Sequence, residues 1–307
     1  MAKILIATDK PFAPVAVKGI REIVENAGFE LALLEKYTEK TQLLEAVKTA
    51  DAIIVRSDII DKDVLDVAKQ LKIVVRAGAG YDNIDLNAAT SKGVCVMNTP
   101  GQNANAVAEL VFGLLIYGIR GFFNGTSGTE LKDKKLGILA YGHVGRNVAR
   151  IGKGFGLKQY AFDAYASIVA IENDGVKVVS SREELFKTCQ IVSLHIPATE
   201  ETKKSINFEL MNQMPKGAIV VNTARKEVID ESGLAKMFAE RPDFKYLTDI
   251  QPSNHAELLA AYPDRYFATP KKMGAQTAEA NINAGLAAAN QIVDFLKNGN
   301  EKYRVNK

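Results

Sequence analysis

The 307-residue sequence predicts an α/β protein with two doubly wound parallel-sheet domains. Short apolar runs alternate with amphipathic stretches over the first hundred residues, as buried strands alternate with covering helices in a parallel sheet. The same alternation starts again at Leu136 and continues to about Thr269. Two such series, each with the strand–helix–strand order of a parallel sheet, indicate two domains of similar architecture.

The predicted elements are short in both halves of the chain. The strands of the first half are Ile4–Ala7, Leu31–Leu34, Ala52–Val55, Ile73–Ala77 and Val94–Met97. Helical periodicity separates them at Val15–Ala27, Leu43–Thr49 and Val64–Lys69. The strands of the second half are Leu136–Ala140, Gln159–Phe162, Ile191–Leu194, Ile219–Val221 and Tyr246–Thr248. Two longer helices, Asn103–Ile119 and Ala278–Leu296, frame this half, and the second is expected to return the chain to the first domain.

Composition and charge exclude several classes of function. With 47% hydrophobic and 24% charged residues, the chain has the balance of an ordinary globular protein. A net charge of +3 without a basic cluster gives no reason to expect nucleic acid as a partner. The longest apolar stretch, Leu110–Ile119, is much shorter than the roughly 20 residues that span a bilayer. Because no signal-peptide core is present either, we expect a cytoplasmic protein without a membrane partner.

The two cysteines, Cys95 and Cys189, have neither a disulfide pattern nor metal-ligand spacing. We therefore expect no metal site. Cys95 lies in the apolar run Val94–Met97 and is predicted to be a core residue rather than a reactive thiol.

A strand-to-helix junction at Leu136–Arg146 indicates a dinucleotide site. Gly142 would let the backbone approach a pyrophosphate, Gly145 would let helix and strand pack closely, and the helix N-terminus would face the phosphates. Ala140 stands at the first glycine position of the usual G-x-G-x-x-G pattern, so the motif is incomplete. Asp163 ends the next predicted strand, where a carboxylate would bind the ribose hydroxyls and repel a 2′-phosphate. This favours NAD over NADP.

Further motifs occur in a fixed order along the chain. They are Val55-Arg56-Ser57, Arg76-Ala-Gly78-Ala-Gly80-Tyr-Asp82-Asn83-Ile-Asp85, Asn98-Thr-Pro100-Gly-Gln-Asn103, His195-Ile-Pro197, Asn222-Thr-Ala-Arg225-Lys-Glu-Val-Ile-Asp230-Glu231 and Thr269-Pro270. Over essentially its whole length the chain thereby resembles the D-isomer-specific 2-hydroxyacid dehydrogenases, most closely those that oxidise D-3-phosphoglycerate.

The resemblance implies a discontinuous, flavodoxin-like substrate-binding domain formed by residues 1–100 and 277–307. It implies a Rossmann-like NAD-binding domain at residues 101–276, with the active site in the cleft. The implied reaction is the NAD-dependent oxidation of D-3-phosphoglycerate to 3-phosphohydroxypyruvate, and its reversal, in serine biosynthesis. Because the chain ends soon after its last predicted helix, we expect no C-terminal regulatory domain.

The resemblance also assigns roles to residues. Arg225 would clamp the substrate carboxylate and carbonyl, Asp249 would hold the nicotinamide amide, and His195 would lie at the cofactor edge. The implied cofactor-binding residues are Tyr141, Gly142, His143, Val144, Gly145, Asp163, His195, Pro197, Thr223, Ala224 and Asp249. The implied substrate-binding residues are Arg56, Ser57, Gly78, Ala79, Gly80 and Asn103, with Arg56 directed to the substrate phosphate and the Gly78–Gly80 loop to its carboxylate.

The chain departs from the family at the acid/base. Members of the family carry a histidine after Thr-Pro and a glutamate partner, whereas here Lys271 and Lys272 follow Thr269-Pro270 and Asn254 stands at the glutamate position. We expect one of the lysines, Lys271 before Lys272, to replace the histidine, and His255 stays open as an alternative. The catalytic set is therefore Arg225, Lys271, Lys272 and Asn254.

Two other functions stay open because of these losses. A glyoxylate or hydroxypyruvate reductase would use the same fold and cofactor. A non-catalytic, NAD-gated dimer of the corepressor type would retain the fold without turnover. A homodimer is also expected for the dehydrogenase, because the helix Asn103–Ile119 carries apolar residues on more than one face: Val111, Phe112, Leu114, Leu115 and Ile116.

Overall fold

The computed structural model describes residues 1–306. Contacts divide the chain into two compact units, which we call the first unit (residues 1–103 and the segment from 276 onward) and the second unit (residues 104–275). Which unit binds substrate and which binds cofactor stays a prediction.

The first unit begins with a regular series of strands and helices. Its elements are β1 (Lys3–Thr8), α1 (Pro14–Asn26), β2 (Glu30–Glu35), α2 (Lys40–Val47), β3 (Ala52–Val55), α3 (Lys62–Val67), β4 (Ile73–Arg76), α4 (Leu86–Ser91) and β5 (Cys95–Asn98). The strands form one parallel sheet in the order β2-β1-β3-β4-β5. This order reverses between β1 and β3, as it does in flavodoxin-like sheets.

The second unit contains a larger sheet. Its elements are α5 (Ala104–Ile119), β6 (Lys135–Leu139), α6 (His143–Gly154), β7 (Lys158–Phe162), α7 (Ile168–Asn173), β8 (Lys177–Val178), α8 (Arg182–Thr188), β9 (Ile191–Leu194), α9 (Phe208–Met211), β10 (Ile219–Asn222), α10 (Glu231–Glu240), β11 (Lys245–Thr248), α11 (His255–Ala261) and β12 (Tyr266–Ala268). All seven strands are parallel, in the order β12-β11-β10-β9-β6-β7-β8. The reversal between β6 and β9 is the switch point of a Rossmann sheet, where ligands bind beyond the carboxyl ends of the strands.

The last helix, α12 (Ala278–Asn298), belongs to the first unit. The side chain of Thr277 accepts a hydrogen bond from the N–H of Ala280 and caps its start. Gly299, with φ of 68°, ends it in a left-handed conformation that glycine adopts without strain.

The predicted fold class of two parallel-sheet α/β domains is confirmed, and every predicted strand is present within one or two residues. Two strands were not predicted, the edge strands β8 and β12. They have only two and three residues, too few for a periodic signal.

Helices cover both faces of each sheet, which explains the continuous apolar runs. In the first unit, α1 and α12 cover one face and α2, α3 and α4 the other. In the second, α5, α6 and α7 cover one face and α8 to α11 the other. Cys95 and Cys189 lie in these cores, as expected for Cys95, and burial raises the pKa of both thiols. Within residues 1–306, no helix combines the length and the hydropathy that a membrane crossing requires.

Candidate dinucleotide and acid/base sites

The turn between β6 and α6 has the geometry of a phosphate-binding junction. A side-chain carbon at Gly145 would lie 2.4 Å from the carbonyl oxygen of Ala140, so only glycine permits this close packing. At Gly142, the residue before α6, the same carbon would meet nothing within 4 Å. The first N–H groups of α6, beginning at His143 and Val144, have no acceptor within the helix. The turn therefore leaves room for an anion in front of free amide donors.

Asp163 lies at the end of β7, beside this turn. Its Oδ2 accepts a hydrogen bond of 2.6 Å from the N–H of Tyr141, and its Oδ1 accepts bonds from the N–H groups of Tyr165 and Ala166. The three donors orient the carboxylate. A carboxylate has about four acceptor positions, so about one is left for a ligand hydroxyl.

Asp163 lines a cavity of about 680 Å³ at the carboxyl ends of β6, β7 and β9. This is within the usual range for small-molecule sites. The sequence-predicted residues at the cavity are Gly142, Asp163, His195 and Pro197. Tyr165, Arg182 and Ser205 also line it and were not predicted. Tyr165 and Ser205 come from loops and Arg182 from the start of α8, and they carry no motif of their own.

His195 is half-buried, and its Nε2 lies 2.9 Å from the hydroxyl oxygen of Ser193. Burial lowers the pKa of His195 to about 3. The imidazole is therefore neutral at ordinary pH, which suits a residue at a cofactor edge better than a base that must take up a proton.

Asp249 follows β11 and is fully buried. Its Oδ2 accepts bonds from the N–H groups of Met273 and Gly274, at 3.1 and 2.6 Å, but its Oδ1 is buried without a hydrogen-bond partner. Burial raises the pKa of Asp249, while the N–H of Gly274 and the ammonium of Lys272 act in the opposite direction. An unsatisfied buried carboxylate oxygen is costly, so this atom is suited to a donor supplied by a ligand.

Arg225 and Lys272 share an acceptor. The carbonyl oxygen of Ala224 accepts a bond of 2.9 Å from Nη1 of Arg225 and one of 3.1 Å from Nζ of Lys272. Lys271 and Lys272 are both exposed, and the carbonyl oxygen of Lys271 accepts a bond from the hydroxyl of Thr269. The geometry thus brings Lys272, rather than Lys271, to Arg225.

The other candidates for acid/base chemistry, Asn254 and His255, are adjacent in sequence. Asn254 precedes α11, and its Oδ1 is buried without a partner. Nδ1 of His255 lies 2.7 Å from the hydroxyl oxygen of Tyr266. Among residues 1–306, no group of three His, Cys, Asp or Glu side chains is placed to hold a metal ion.

In the first unit, the Gly78–Gly80 loop depends on Arg76. Gly78 has φ of 153°, and a side-chain carbon there would lie 1.5 Å from Nη1 of Arg76. Nε of Arg76 also donates to the carbonyl oxygen of Arg56. The N–H of Gly78 is bonded to the carbonyl of Arg76, so the expected carboxylate contacts rest on the N–H groups of Ala79 and Gly80. Sequence reasoning gave Arg76 no role.

Arg56 is less available than the sequence implied. Its Nη1 donates to the carbonyl oxygens of Lys10 and Pro11, its Nη2 donates to Oδ1 of Asn281, and its guanidinium lies 5.3 Å from the ring centre of Phe12. Burial lowers the pKa of Arg56. Three of its five N–H donors are thus used within the first unit, which leaves two for a ligand. Ser57 beside it is exposed, and Asn103 is half-buried.

The apolar residues of α5 are no evidence for a dimer, which stays a prediction. Val111, Phe112, Leu114 and Leu115 are all buried in the core of the second unit, at 0, 4, 3 and 0% exposure, and Ile116 is half-buried against it. Packing within its own chain accounts for the apolar residues of this helix.

The Rossmann sheet, the glycine-bearing turn before α6 and the acidic residue after β7 define a dinucleotide-binding α/β protein. The profile of the D-isomer specific 2-hydroxyacid dehydrogenase catalytic domain matches residues 6–306, and the chain belongs to this family.

Several relatives carry more specific names. The chain is 36% identical over 314 residues to D-3-phosphoglycerate dehydrogenase of Methanocaldococcus jannaschii, covering 97% of this chain but only 58% of that protein. It is 34% identical to hydroxypyruvate reductase of Thermotoga maritima, covering 87% of this chain and 92% of that protein. The structure of NAD⁺-bound 3-phosphoglycerate dehydrogenase of Entamoeba histolytica is 50% identical, with a TM-score of 0.89 and coverage of 100% of this chain and 99% of that one.

Proposed function

We propose that the protein is an NAD-dependent dehydrogenase that oxidises D-3-phosphoglycerate to 3-phosphohydroxypyruvate and catalyses the reverse reduction. The arrangement of Arg225 and Lys272 around the carbonyl of Ala224 carries the proposal, since it places a carbonyl-polarising cation beside a proton-transfer group. The similarity to the NAD⁺-bound enzyme of Entamoeba histolytica, at 50% identity over the whole chain, supports the choice of substrate.

The second unit fits NAD at three points. The open turn at Gly142 suits the pyrophosphate, Asp163 suits the adenosine ribose, and the unpartnered Oδ1 of Asp249 suits the carboxamide N–H of the nicotinamide. When bound there, NAD supplies the acceptor for the hydride that leaves C2 of the substrate.

The chain's own residues would manage the oxygen and its proton. In the oxidation, the neutral amine of Lys272 takes the proton from the C2 hydroxyl while the C2–H bond is broken and the C–O double bond forms. Arg225 hydrogen-bonds the same oxygen and stabilises its partial negative charge. In the reduction, the ammonium of Lys272 returns the proton. We propose that Asn254, a neutral residue at the family's glutamate position, adds no further carboxylate that would raise the pKa of a lysine.

A second candidate is hydroxypyruvate reductase. Two observations favour it: the relative in Thermotoga maritima is matched over 92% of its length, and most N–H donors of Arg56 are already used within the first unit. A reductase of unphosphorylated keto acids would not need Arg56 as a phosphate ligand.

A substrate panel tests both proposals. NADH consumption by the full chain is measured with 3-phosphohydroxypyruvate, hydroxypyruvate and glyoxylate, and NADH formation with D-3-phosphoglycerate. The highest kcat/KM should belong to the phosphorylated substrate. A higher value for hydroxypyruvate would establish the reductase, and no turnover together with tight NADH binding would point to the non-catalytic dimer.

We also propose that the protein acts as a cytoplasmic homodimer, now through a different surface. Phe123 is 66% exposed and packs edge-on against Tyr117, which also contacts Phe122 and Phe267. An exposed aromatic side chain over an aromatic cluster is a suitable anchor for an interface. Light scattering at micromolar concentration should give a dimeric mass for the wild type and a monomeric mass for Phe123→Asp.

A further inference from the structure

The carbonyl group shared by Arg225 and Lys272 requires a device that holds it in place. The carbonyl oxygen of Ala224 accepts a hydrogen bond from each of the two side chains. The peptide group between Ala224 and Arg225 could rotate, which would carry this oxygen away from one of the donors. Whatever prevents this rotation keeps the oxygen within reach of both.

The side-chain amide of Asn222 is bound to the chain on both sides of this peptide group. Its Oδ1 accepts a hydrogen bond of 3.0 Å from the N–H of Ala224, and its Nδ2 donates one of 3.0 Å to the carbonyl oxygen of Arg225. The orientation of the amide is fixed, because only its oxygen can face an N–H and only its nitrogen can face a carbonyl. The turn is therefore closed on both flanks of the peptide that carries the Ala224 oxygen.

A buried hydroxyl holds Asn222 in turn. Asn222 is 0% exposed, and its Nδ2 also donates to the hydroxyl oxygen of Tyr246, at 3.1 Å. Tyr246 is 1% exposed and lies on β11, next to the strand that ends at Asn222. Both N–H donors of the amide and its oxygen are thus bonded, at a buried position where a broken bond is costly.

We propose that Asn222 is a positioning residue for the reaction: with its amide held by Tyr246, it fixes the peptide whose carbonyl oxygen binds both Arg225 and Lys272. The inference rests on the proposed function, since it assigns Lys272 to proton transfer. Asn222 is fully buried, so it would act through the turn and not on the substrate itself.

The test is a double-mutant cycle on kcat with 3-phosphohydroxypyruvate and NADH. Asn222→Asp keeps the size of the side chain but removes both N–H donors and places an oxygen opposite the carbonyl oxygen of Arg225. In the wild-type background it should lower kcat by roughly 10–100-fold. In the Lys272→Ala background the same substitution should lower kcat less than about threefold, because the amine that Asn222 positions is already absent. If Asn222→Asp lowers kcat by the same factor in both backgrounds, Asn222 has only a structural role and the inference is overturned.

A milder pair of variants covers the case in which Asn222→Asp does not fold. Tyr246→Phe removes only the hydroxyl that holds Asn222 and should lower kcat about 3–10-fold, with NADH affinity unchanged. Tyr266→Phe is the matched control: its ring is stacked parallel to that of Tyr246 and is equally buried, but its hydroxyl contacts His255. The inference is overturned if Tyr246→Phe keeps the wild-type kcat, or if Tyr266→Phe lowers it as much. If the wild type shows no turnover, the proposed function is overturned as well. If the wild type does turn over and either of these results is found, only the inference is overturned.

Discussion

The carboxylate of Asp163 and the backbone N–H of Tyr141 are joined by a hydrogen bond of 2.6 Å. This bond ties the end of β7 to the turn before α6, so that the residue expected to recognise the ribose is fixed to the loop expected to hold the phosphates. The charge of Asp163 then lies at a defined position at the edge of the cavity.

This position predicts a preference for NADH over NADPH. A 2′-phosphate close to Asp163 would be repelled, which should lower kcat/KM with NADPH by roughly tenfold or more. Asp163→Asn keeps the shape of the side chain without its charge and should narrow the difference, as should Asp163→Ser. Equal efficiencies with both cofactors in the wild type would contradict the assignment.

Arg56 should select a phosphorylated substrate. Loss of a charge-assisted contact costs roughly 1.5–3 kcal/mol, so Arg56→Ala should raise KM for 3-phosphohydroxypyruvate much more than for glyoxylate. Because Arg56 also binds Asn281 within the first unit, Asn281→Ala serves as the control for the loss of that internal contact. Equal losses on both substrates would assign Arg56 a structural role and favour the reductase.

Lys272 should be the proton-transfer group. Lys272→Ala should lower kcat by about 10²–10⁴-fold, while Lys271→Ala should have a much smaller effect, since Lys272 is the lysine that bonds the carbonyl of Ala224 beside Arg225. A lysine must lose its proton before it can act as a base, so the oxidation rate should still rise above pH 9, where an ordinary histidine, with a pKa near 6.5, would have finished titrating. Loss of turnover in His255→Ala, with both lysine variants active, would transfer the role to His255.

Ala140→Gly should stabilise the protein. Ala140 has φ of 75°, a left-handed conformation that costs a residue with a side chain roughly 1–2 kcal/mol. Glycine relieves this strain but adds disorder to the unfolded chain, so the expected net gain in the free energy of unfolding is about 0.5–1 kcal/mol. The control is Ala235→Gly, at an exposed position within α10, which should instead lower the free energy of unfolding by a similar amount. Both variants are measured by urea denaturation.

His195 should make the protein less stable in mild acid. Because burial lowers the pKa of native His195 to about 3, from 6.5 in the unfolded chain, the unfolded state alone takes up a proton between these values. Stability is therefore lost as the pH falls below 6.5, at up to about 1.4 kcal/mol per pH unit. His195→Gln should reduce the loss in the free energy of unfolding between pH 7 and pH 5 by about 1–2 kcal/mol.

The strands, helices and their parallel pairing follow from the order of residues along the chain. A strand buried on both faces needs a continuous apolar run, and a covering helix needs one apolar stripe, so both are visible within a few residues. The glycines at 142 and 145 and the aspartate at 163 were identifiable for the same reason, because a strand, a turn and a helix place them locally.

The chemistry of the site depended on contacts between distant segments. Lys272 meets the carbonyl of Ala224 across 48 positions, and Arg56 meets Asn281 across 225. Spacing along the sequence does not distinguish Lys271 from Lys272. Nor does it distinguish an arginine that is open to a ligand from one whose donors are bonded within its own chain. The order of residues is enough to specify which strands and helices form, since their burial pattern is local. Which side chains share an acceptor follows only from the folded chain, because hydrogen bonds depend on distances and directions that arise when the sheet is assembled.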